Sequence, residues 1–165
     1  LNYYKEAAMS KNRIGNAVQM HEHVRAFEEA YAAMLKPLCA ELGMPQTALD
    51  ILLFLANNPG YDTARDICIY RHMKPGIVSF HIDRLVGEGY LARRSDEKDR
   101  RVTHLAVTAA AAPVVVRGQE LQAALGARLT AGLGDEDRAL LWRCIAAIAE
   151  NAKSICREAA QKEKL

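Results

Sequence analysis

Hydrophobic residues recur every three to four positions in the residues up to about Lys36, with charged residues between them. This period is typical of one long amphipathic helix. Pro37 is expected to end or kink the helix, because proline lacks the N–H that an interior helical position needs. A short helical turn over residues 38–42 then stops at Gly43. The apolar positions of the long helix are Val18, Phe27, Tyr31, Met34 and Leu38.

Three shorter helices are predicted between residues 45 and 88. The first begins at Pro45, which suits a first helical turn, and stops at the breaker run 57–60. The second covers about residues 63–70, with Ile67 in the core and Asp62 or Thr63 as its cap. The third begins near residue 73 and is closed by glycines. Its apolar stripe is Ile77, Val78, Ile82, Leu85 and Val86.

Beyond Gly89 the period changes from helical to alternating. Residues 90–93 and 102–107 are predicted to be strands, and the wholly polar residues 94–101 form the tip of the resulting β-hairpin. Thr108 is expected to cap a further helix, and Asp135 a last one after a glycine-containing break. The stripe of the last helix is Leu141, Ile145, Ile148, Ala152 and Ile155.

The composition fits a globular domain with a sizeable core, because half of the 165 residues are hydrophobic and 25% are charged. No apolar run approaches the roughly 20 residues of a membrane helix, and no secretion signal is visible. The four cysteines form no CxxC pair, which favours a reducing compartment. We therefore expect a cytoplasmic protein that does not interact with membranes.

The positive charge is concentrated in one part of the chain. The net charge is only +2, but residues 71–104 hold eight basic and five acidic residues and also three histidines. A local basic excess is the electrostatic footprint expected of a nucleic-acid-binding surface. An isolated charged hairpin tip is more often a solvated surface, but its position directly after three helices favours contact with DNA.

Three helices followed by a hairpin have the order of a winged helix-turn-helix. In such a unit the third helix enters the major groove, and the basic tip contacts phosphates or the adjacent minor groove. We expect base contacts from Ser79 and His81, on the exposed face of the third helix. The full predicted DNA-binding set is Lys74, Ser79, His81, Arg84, Arg94, Lys98, Arg100 and Arg101.

The run from Ile82 to Arg93 resembles the end of the recognition helix and the first wing strand of the MarR family of bacterial transcription regulators. The wing sequence from Asp96 to Arg101 is similar to the family's D-x-x-D-x-R motif, and Val107-Thr108 lies where the family has Leu-Thr. Helix order and chain length also match, so the resemblance covers nearly the whole chain.

The resemblance implies a mainly α fold with a small β-hairpin wing, and long N- and C-terminal dimerisation helices. The chain is expected to be a single MarR-like domain, 1–165, with dimerisation regions at 1–37 and 109–162 and a DNA-binding lobe at 45–108. Family members are homodimers that bind pseudo-palindromic DNA, usually as repressors released by a small aromatic or lipophilic molecule. By analogy, Asp99 would bond to Arg101 and hold the shape of the wing.

The sequence departs from the family pattern at the start of the recognition helix. Members often have polar DNA-contacting residues at positions that are occupied here by Pro75-Gly76-Ile77 and by Phe80. After the wing, Ala112 occupies a position where a glycine is usual. The weakened helix start motivates an alternative function, a winged-helix module that binds protein and not DNA.

Other candidate sites carry weaker signals. Aromatic and methionine side chains at helical spacing could line an effector pocket, but such residues are more often core or dimer contacts; the candidates are Phe27, Tyr31, Met34, Phe54 and Trp142. His21 and His23 are two residues apart and point to different helical faces, so no metal site is predicted. No catalytic motif is present and we expect neither enzymatic activity nor a cofactor.

Overall fold

A computed structural model describes residues 17–162. In this part of the chain six α-helices and one two-stranded antiparallel sheet follow the predicted order. The helices are α1 (Ala17–Leu42), α2 (Gln46–Asn57), α3 (Ala64–Arg71), α4 (Pro75–Gly87), α5 (Ala112–Leu129) and α6 (Asp135–Lys162); the strands are β1 (Leu91–Ser95) and β2 (Thr103–Val107), and a short 3-10 helix, Ala109–Ala111, precedes α5.

Helix α1 continues through Pro37 to Leu42, so the helix does not end at this proline, which was one of the two predicted outcomes. An interior proline removes one backbone hydrogen bond. Burial compensates for the loss, because the neighbouring Leu35 and Leu38 are only 1–2% exposed and anchor both sides of the proline in the core. The helix ends where predicted, at Gly43, whose φ of 59° is a left-handed conformation that suits glycine.

The core lies around α2, which is apolar on almost every side. Its residues from Ala48 to Leu53 are all buried, and α3 and α4 pack against them through Ile67 and Leu85, both 0% exposed. The N-terminus of α3 is closed as predicted, because Thr63 and Asp66 form a reciprocal capping box. Helices α2 and α3 thus support α4 and the hairpin.

A polar contact inside this core was not anticipated from the sequence. The Tyr31 hydroxyl of α1 donates a 2.7 Å hydrogen bond to Asp50 of α2 and accepts one of 3.2 Å from Gln122 of α5. Arg71 of α3 lies 3.8 Å from the other Asp50 oxygen. Burial, with the bond to Asp50, raises the pKa of Tyr31 to about 12. Four helices are thus joined through the Tyr31 hydroxyl and the nearly buried Asp50 carboxylate.

The hairpin is attached to the helices by backbone pairing. Leu91 of β1 pairs with Val107 of β2, and the register continues to Ser95 and Thr103. The Leu105 N–H donates a 2.7 Å bond to the carbonyl of Asp62, beside an isolated bridge between residues 63 and 104. The Thr108 hydroxyl donates to the Gly89 carbonyl at 2.6 Å, and its predicted capping bond is not formed.

The chain divides into two compact units, with the boundary after Leu125. In the second unit α5 ends with Thr130, whose N–H and hydroxyl both donate hydrogen bonds to the Gly126 carbonyl. At the start of α6 the N–H of Arg138 donates a hydrogen bond to the Gly134 carbonyl. Asp135 is therefore the first residue of α6, and not its cap as predicted. Several large apolar side chains of α6 are exposed, namely Leu140, Trp142, Ile145, Ile148 and Ile155.

No single helix among the described residues is long and apolar enough to cross a membrane. Helices α1 and α2 are long and apolar enough only when they are counted as one segment, and the chain bends by 101° between them.

Two glycines of α5 should respond in opposite ways to alanine. A Cβ on Gly118 would lie 2.6 Å from the buried Leu53 side chain, whereas a Cβ on Gly126 would meet no described atom within 4 Å. We expect Gly118→Ala to destabilise the protein by about 1–3 kcal/mol through overpacking. Gly126→Ala should stabilise it by roughly 0.5–1 kcal/mol through helix propensity. Denaturant unfolding of both variants tests this, and equal effects would contradict the packing.

Candidate nucleic-acid interface

Helix α4 has one buried and one exposed side. Lys74 precedes it with extended backbone angles, and Pro75 occupies the first turn as predicted. Val78, Ile82 and Leu85 are between 0 and 3% exposed and hold the helix on the core. Ser79 lies on the exposed side, as expected for a residue that contacts bases.

His81 lies on the buried side of α4, so the prediction that it is exposed is wrong. Its side chain is 8% exposed, and its Nδ1 atom has no hydrogen-bond partner among the described residues. Burial, and to a smaller extent the charge of Arg84, lowers the pKa of this imidazole. Residues three to four positions apart share one face of a helix, so His81 lies on the same buried face as Val78 and Leu85 although its side chain is polar. His81 is therefore not a residue for base contact.

Arg84 is held by two contacts inside the fold. Its Nε donates to Glu88 at 2.7 Å, and its Nη2 donates a 2.6 Å bond to the carbonyl of Gly43, just beyond the end of α1. The guanidinium thereby joins α4 to the end of α1. This structural role was not foreseen for a residue in the predicted DNA-binding set.

Two aspartates shape the tip of the wing through backbone amides. One oxygen of Asp96 accepts 2.7 Å bonds from the N–H groups of Lys98 and Asp99. Asp99 in turn accepts a 2.9 Å bond from the N–H of Arg101. The resemblance implied a bond between Asp99 and Arg101, and the structure forms it with the main chain, so that the Arg101 side chain remains exposed.

His104 connects the wing to the segment that precedes α3. Its Nδ1 lies 2.7 Å from a carboxylate oxygen of Asp62, and its Nε2 lies 3.2 Å from Asp96. Both nitrogens donate when the ring is protonated. The bonds to Asp62 and then to Asp96 raise the pKa of His104, and the pKa of Asp96 is lowered, first by the two backbone bonds and then by His104. No pattern in the sequence indicates this contact.

Ion pairing sorts the basic residues of the segment 71–104 into two groups. Arg71, Arg84 and Arg93 pair with Asp50, Glu88 and Asp83, respectively. The other five make no ion pair with any described residue and are exposed; they are Lys74, Arg94, Lys98, Arg100 and Arg101. All five belong to the predicted DNA-binding set.

Two clefts bring the wing close to α3 and α4. One, of about 310 Å³, is lined by Ser79 and Asp83 of α4 together with Arg93 and Thr103 of the hairpin. The other, of about 510 Å³, lies between residues 63–66 at the start of α3 and the wing residue Arg101. The unpaired cations of the wing therefore lie on the same lobe as the exposed side of α4.

The predicted effector-pocket residues differ in their surroundings, and of the five candidates Trp142 is exposed on α6. Met34 lines a cavity of about 360 Å³ between α1 and α5. Phe54 stacks on Tyr70 at a centroid distance of 6.3 Å, Phe27 is 56% exposed, and Tyr31 bonds to Asp50. A ligand at these residues stays a prediction.

Other candidate groups lack the surroundings of a reactive site. Burial raises the pKa of the Cys39 thiol, with Asp50 as a second cause, which disfavours the reactive thiolate. His21 and His23 are exposed on α1, and no cluster of three metal-ligating side chains occurs within residues 17–162.

Comparison with known proteins agrees with this architecture. Residues 42–102 match the model of the MarR family. No curated protein sequence matches the chain. The match to 42–102 covers α2, α3, α4, β1 and the tip of the wing and stops just before β2; these elements carry the candidate interface.

Solved structures extend the likeness beyond that segment. The transcriptional regulator PA3341 is 21% identical over 84% of this chain and 98% of its own, with a TM-score of 0.72. A MarR transcriptional regulator from Methanosarcina mazei Go1 is also 21% identical over 84% of this chain and 96% of its own, with a TM-score of 0.67. Wild-type MarR from E. coli is 18% identical over 84% of this chain and 98% of its own, with a TM-score of 0.63. The resemblance to the MarR family and the winged-helix fold are thereby confirmed.

The contacts of His104 predict a specific pH dependence. Its folded-state pKa is raised, so its contribution to stability is fully present below the unfolded value of about 6.5 and disappears as the pH rises through the folded value. We expect His104→Ala to destabilise the protein more at about pH 5.5 than at about pH 9. Urea unfolding of this variant and of the control His23→Ala measures the difference. A greater loss at the higher pH would contradict the pairing.

The buried imidazole of His81 predicts a stabilising substitution. His81→Leu keeps the packing and removes a polar atom without a partner, so we expect a gain of about 1 kcal/mol in the free energy of unfolding. The same change at the exposed His23 should have little effect. Thermal unfolding of the two variants tests this, and a loss of stability in His81→Leu would mean that the imidazole makes a contact needed by the fold.

Proposed function

We propose that this protein is a sequence-specific DNA-binding transcriptional regulator that acts as a homodimer on a pseudo-palindromic operator. The observation that carries the proposal is the set of five exposed cations that form no ion pair within residues 17–162, four of them on the wing and one, Lys74, at the start of α4. In this role the protein is not an enzyme, and it works in the cytoplasm, where it reaches chromosomal DNA.

The geometry of the lobe supports insertion of α4 into the major groove. A single α-helix fits this groove, and its exposed side then faces the base edges. The exposed side of α4 carries Ser79, which lines a cleft with hairpin residues. Arg94, Lys98, Arg100 and Arg101 then neutralise phosphates beside the groove or extend into the adjacent minor groove. Arg84 and His81 take no part in these contacts.

Helix α6 supports the proposal of a second protomer. Trp142, Ile145 and Ile148 recur at three-residue spacing, and each is more than 40% exposed. An apolar face of this size on an isolated chain marks an interaction surface. In a symmetric dimer the same face of the second chain covers it. The two copies of α4 would then contact half-sites about 10 base pairs apart, or a multiple of this distance.

A small ligand would act by changing the spacing of the two recognition helices. The cavity between α1 and α5 has a volume within the range of known ligand pockets, about 300–1,000 Å³, and its lining combines Met34, Leu38 and Leu121 with the ion pair of Glu41 and Arg117. A ligand weakens operator binding only by its differential affinity for the two arrangements. We propose an aromatic or lipophilic molecule as the effector and repression as the regulatory mode.

A second candidate function is a winged-helix module that binds a protein and not DNA. The observation in its favour is that Ile77 and Phe80, on the outward side of α4, are large, apolar and exposed. Salt discriminates the two functions, because DNA binding weakens steeply as salt rises through the release of counterions. Contact with an apolar protein partner lacks this dependence.

Removal of the wing cations should lower the affinity for DNA uniformly. We expect Arg94→Ala and Arg100→Ala to weaken binding to all duplex sequences alike. Each substitution should also reduce the slope of log affinity against log salt by about one, because each removes one interaction with a phosphate. Fluorescence anisotropy with duplexes of different sequence, over a series of salt concentrations, measures both quantities.

The matched control is Arg25→Ala, which removes the same charge from the exposed surface of α1. It should leave the salt slope unchanged. If the two wing variants bind like the wild type, or if Arg25→Ala has the same effect as they do, the wing does not form the DNA contact.

A further inference from the structure

Two large apolar side chains occupy the outward side of α4. Phe80 is 63% exposed and Ile77 is 48% exposed. They are three residues apart, so they lie on the same face of the helix. Apolar side chains of this size, adjacent to each other on a surface that also carries unpaired cations, indicate a site of contact with a partner.

The fold does not account for this pair. The residues that anchor α4 are Val78, His81, Ile82 and Leu85, and neither Ile77 nor Phe80 is among the residues that form the core or pack against it. The Phe80 ring makes an edge contact with the His81 ring at a centroid distance of 5.1 Å. The buried imidazole thus contacts one edge of the phenyl ring, and the rest of the Phe80 ring stays exposed.

The charges around the pair favour DNA as its partner. Lys74 lies three residues before Ile77, and on the opposite flank Ser79 and Asp83 face the hairpin that carries the unpaired wing cations. The Asp83 carboxylate is neutralised by Arg93. Positive charge therefore borders the pair at Lys74, and the hairpin that faces the other flank carries the wing cations, an arrangement that complements the phosphate backbones bordering a groove.

The major groove offers one apolar group at the base edges, the C5-methyl group of thymine. We propose that Ile77 and Phe80 contact thymine methyl groups and thereby select A·T pairs in each half-site. The inference rests on the proposed DNA-binding function and deepens it. In place of a predominantly polar set of base contacts, this helix uses apolar contacts to two neighbouring thymines, and the Ser79 hydroxyl supplies a polar contact beside them.

Replacement of thymine by deoxyuridine tests the proposal, because it removes the methyl group and keeps the base pairing. The operator is first selected from random duplex DNA, and each thymine of a half-site is then replaced singly. We expect about a fourfold loss of affinity at each contacted thymine, the equivalent of roughly 0.8 kcal/mol for one buried carbon group. Replacement of thymines outside the half-sites should have no effect.

Variants of the two residues connect the effect to the helix. Phe80→Ala should weaken binding to the thymine duplex and abolish the deoxyuridine effect at one position, and Ile77→Ala should do the same at a neighbouring position. Both residues are exposed, so both variants should fold, which circular dichroism checks. Ile69→Ala is the matched control, because Ile69 is 52% exposed on α3, and this variant should keep the full deoxyuridine effect.

The outcomes separate this inference from the function on which it rests. If the wild type binds duplex DNA with a steep salt dependence but no thymine responds to deoxyuridine, the apolar contact is wrong and the DNA-binding function stands. If no selected or random duplex binds at low salt, both fail, and the apolar pair serves a protein partner instead.

Discussion

The burial of one side of α4 determines which side chains the protein presents to a partner. Val78, Ile82 and Leu85 have almost no exposed surface, and a helix fixed through three such residues cannot rotate about its axis without exposing them. The opposite side is thereby fixed as well. It carries Ser79 and the exposed pair Ile77 and Phe80, and this selection follows from packing alone.

Ion pairs inside the lobe then decide which charges remain available. Three acidic residues between 71 and 104 are engaged away from the wing cations. Asp83 and Glu88 each pair with one arginine, and Asp96 accepts bonds from backbone amides and contacts His104. The four exposed wing cations form no ion pair with any acidic residue in the described part of the chain. At the same time His104, held by Asp62 and Asp96, joins the wing to the start of α3. One set of polar contacts thus holds the hairpin in place and keeps its cations exposed.

Much of this architecture could be predicted from the sequence, because local rules determine it. Thr63 caps α3, Pro75 opens α4, and the change from a helical to an alternating period marks the hairpin. The helical spacing also indicates that His81 is buried, because it is three residues after Val78 and four before Leu85. Its polar side chain nevertheless favours the exposed side, and the prediction followed the side chain. The contacts of Arg84 with Gly43 and of His104 with Asp62 join residues more than 40 positions apart. Only the tertiary fold brings them together, so no local pattern predicts them.

Amide hydrogen exchange of the protein with and without a DNA duplex is the direct test of contact through α4 and the wing. Duplex DNA should slow exchange in two segments, the first turns of α4 around residues 76–80 and the tip of the wing around residues 94–102. Amides at the centre of α2, which lie in the core, should exchange at the same rate in both samples. A bound duplex that leaves both segments unchanged would contradict the account, because α4 and the wing would then lie outside the interface.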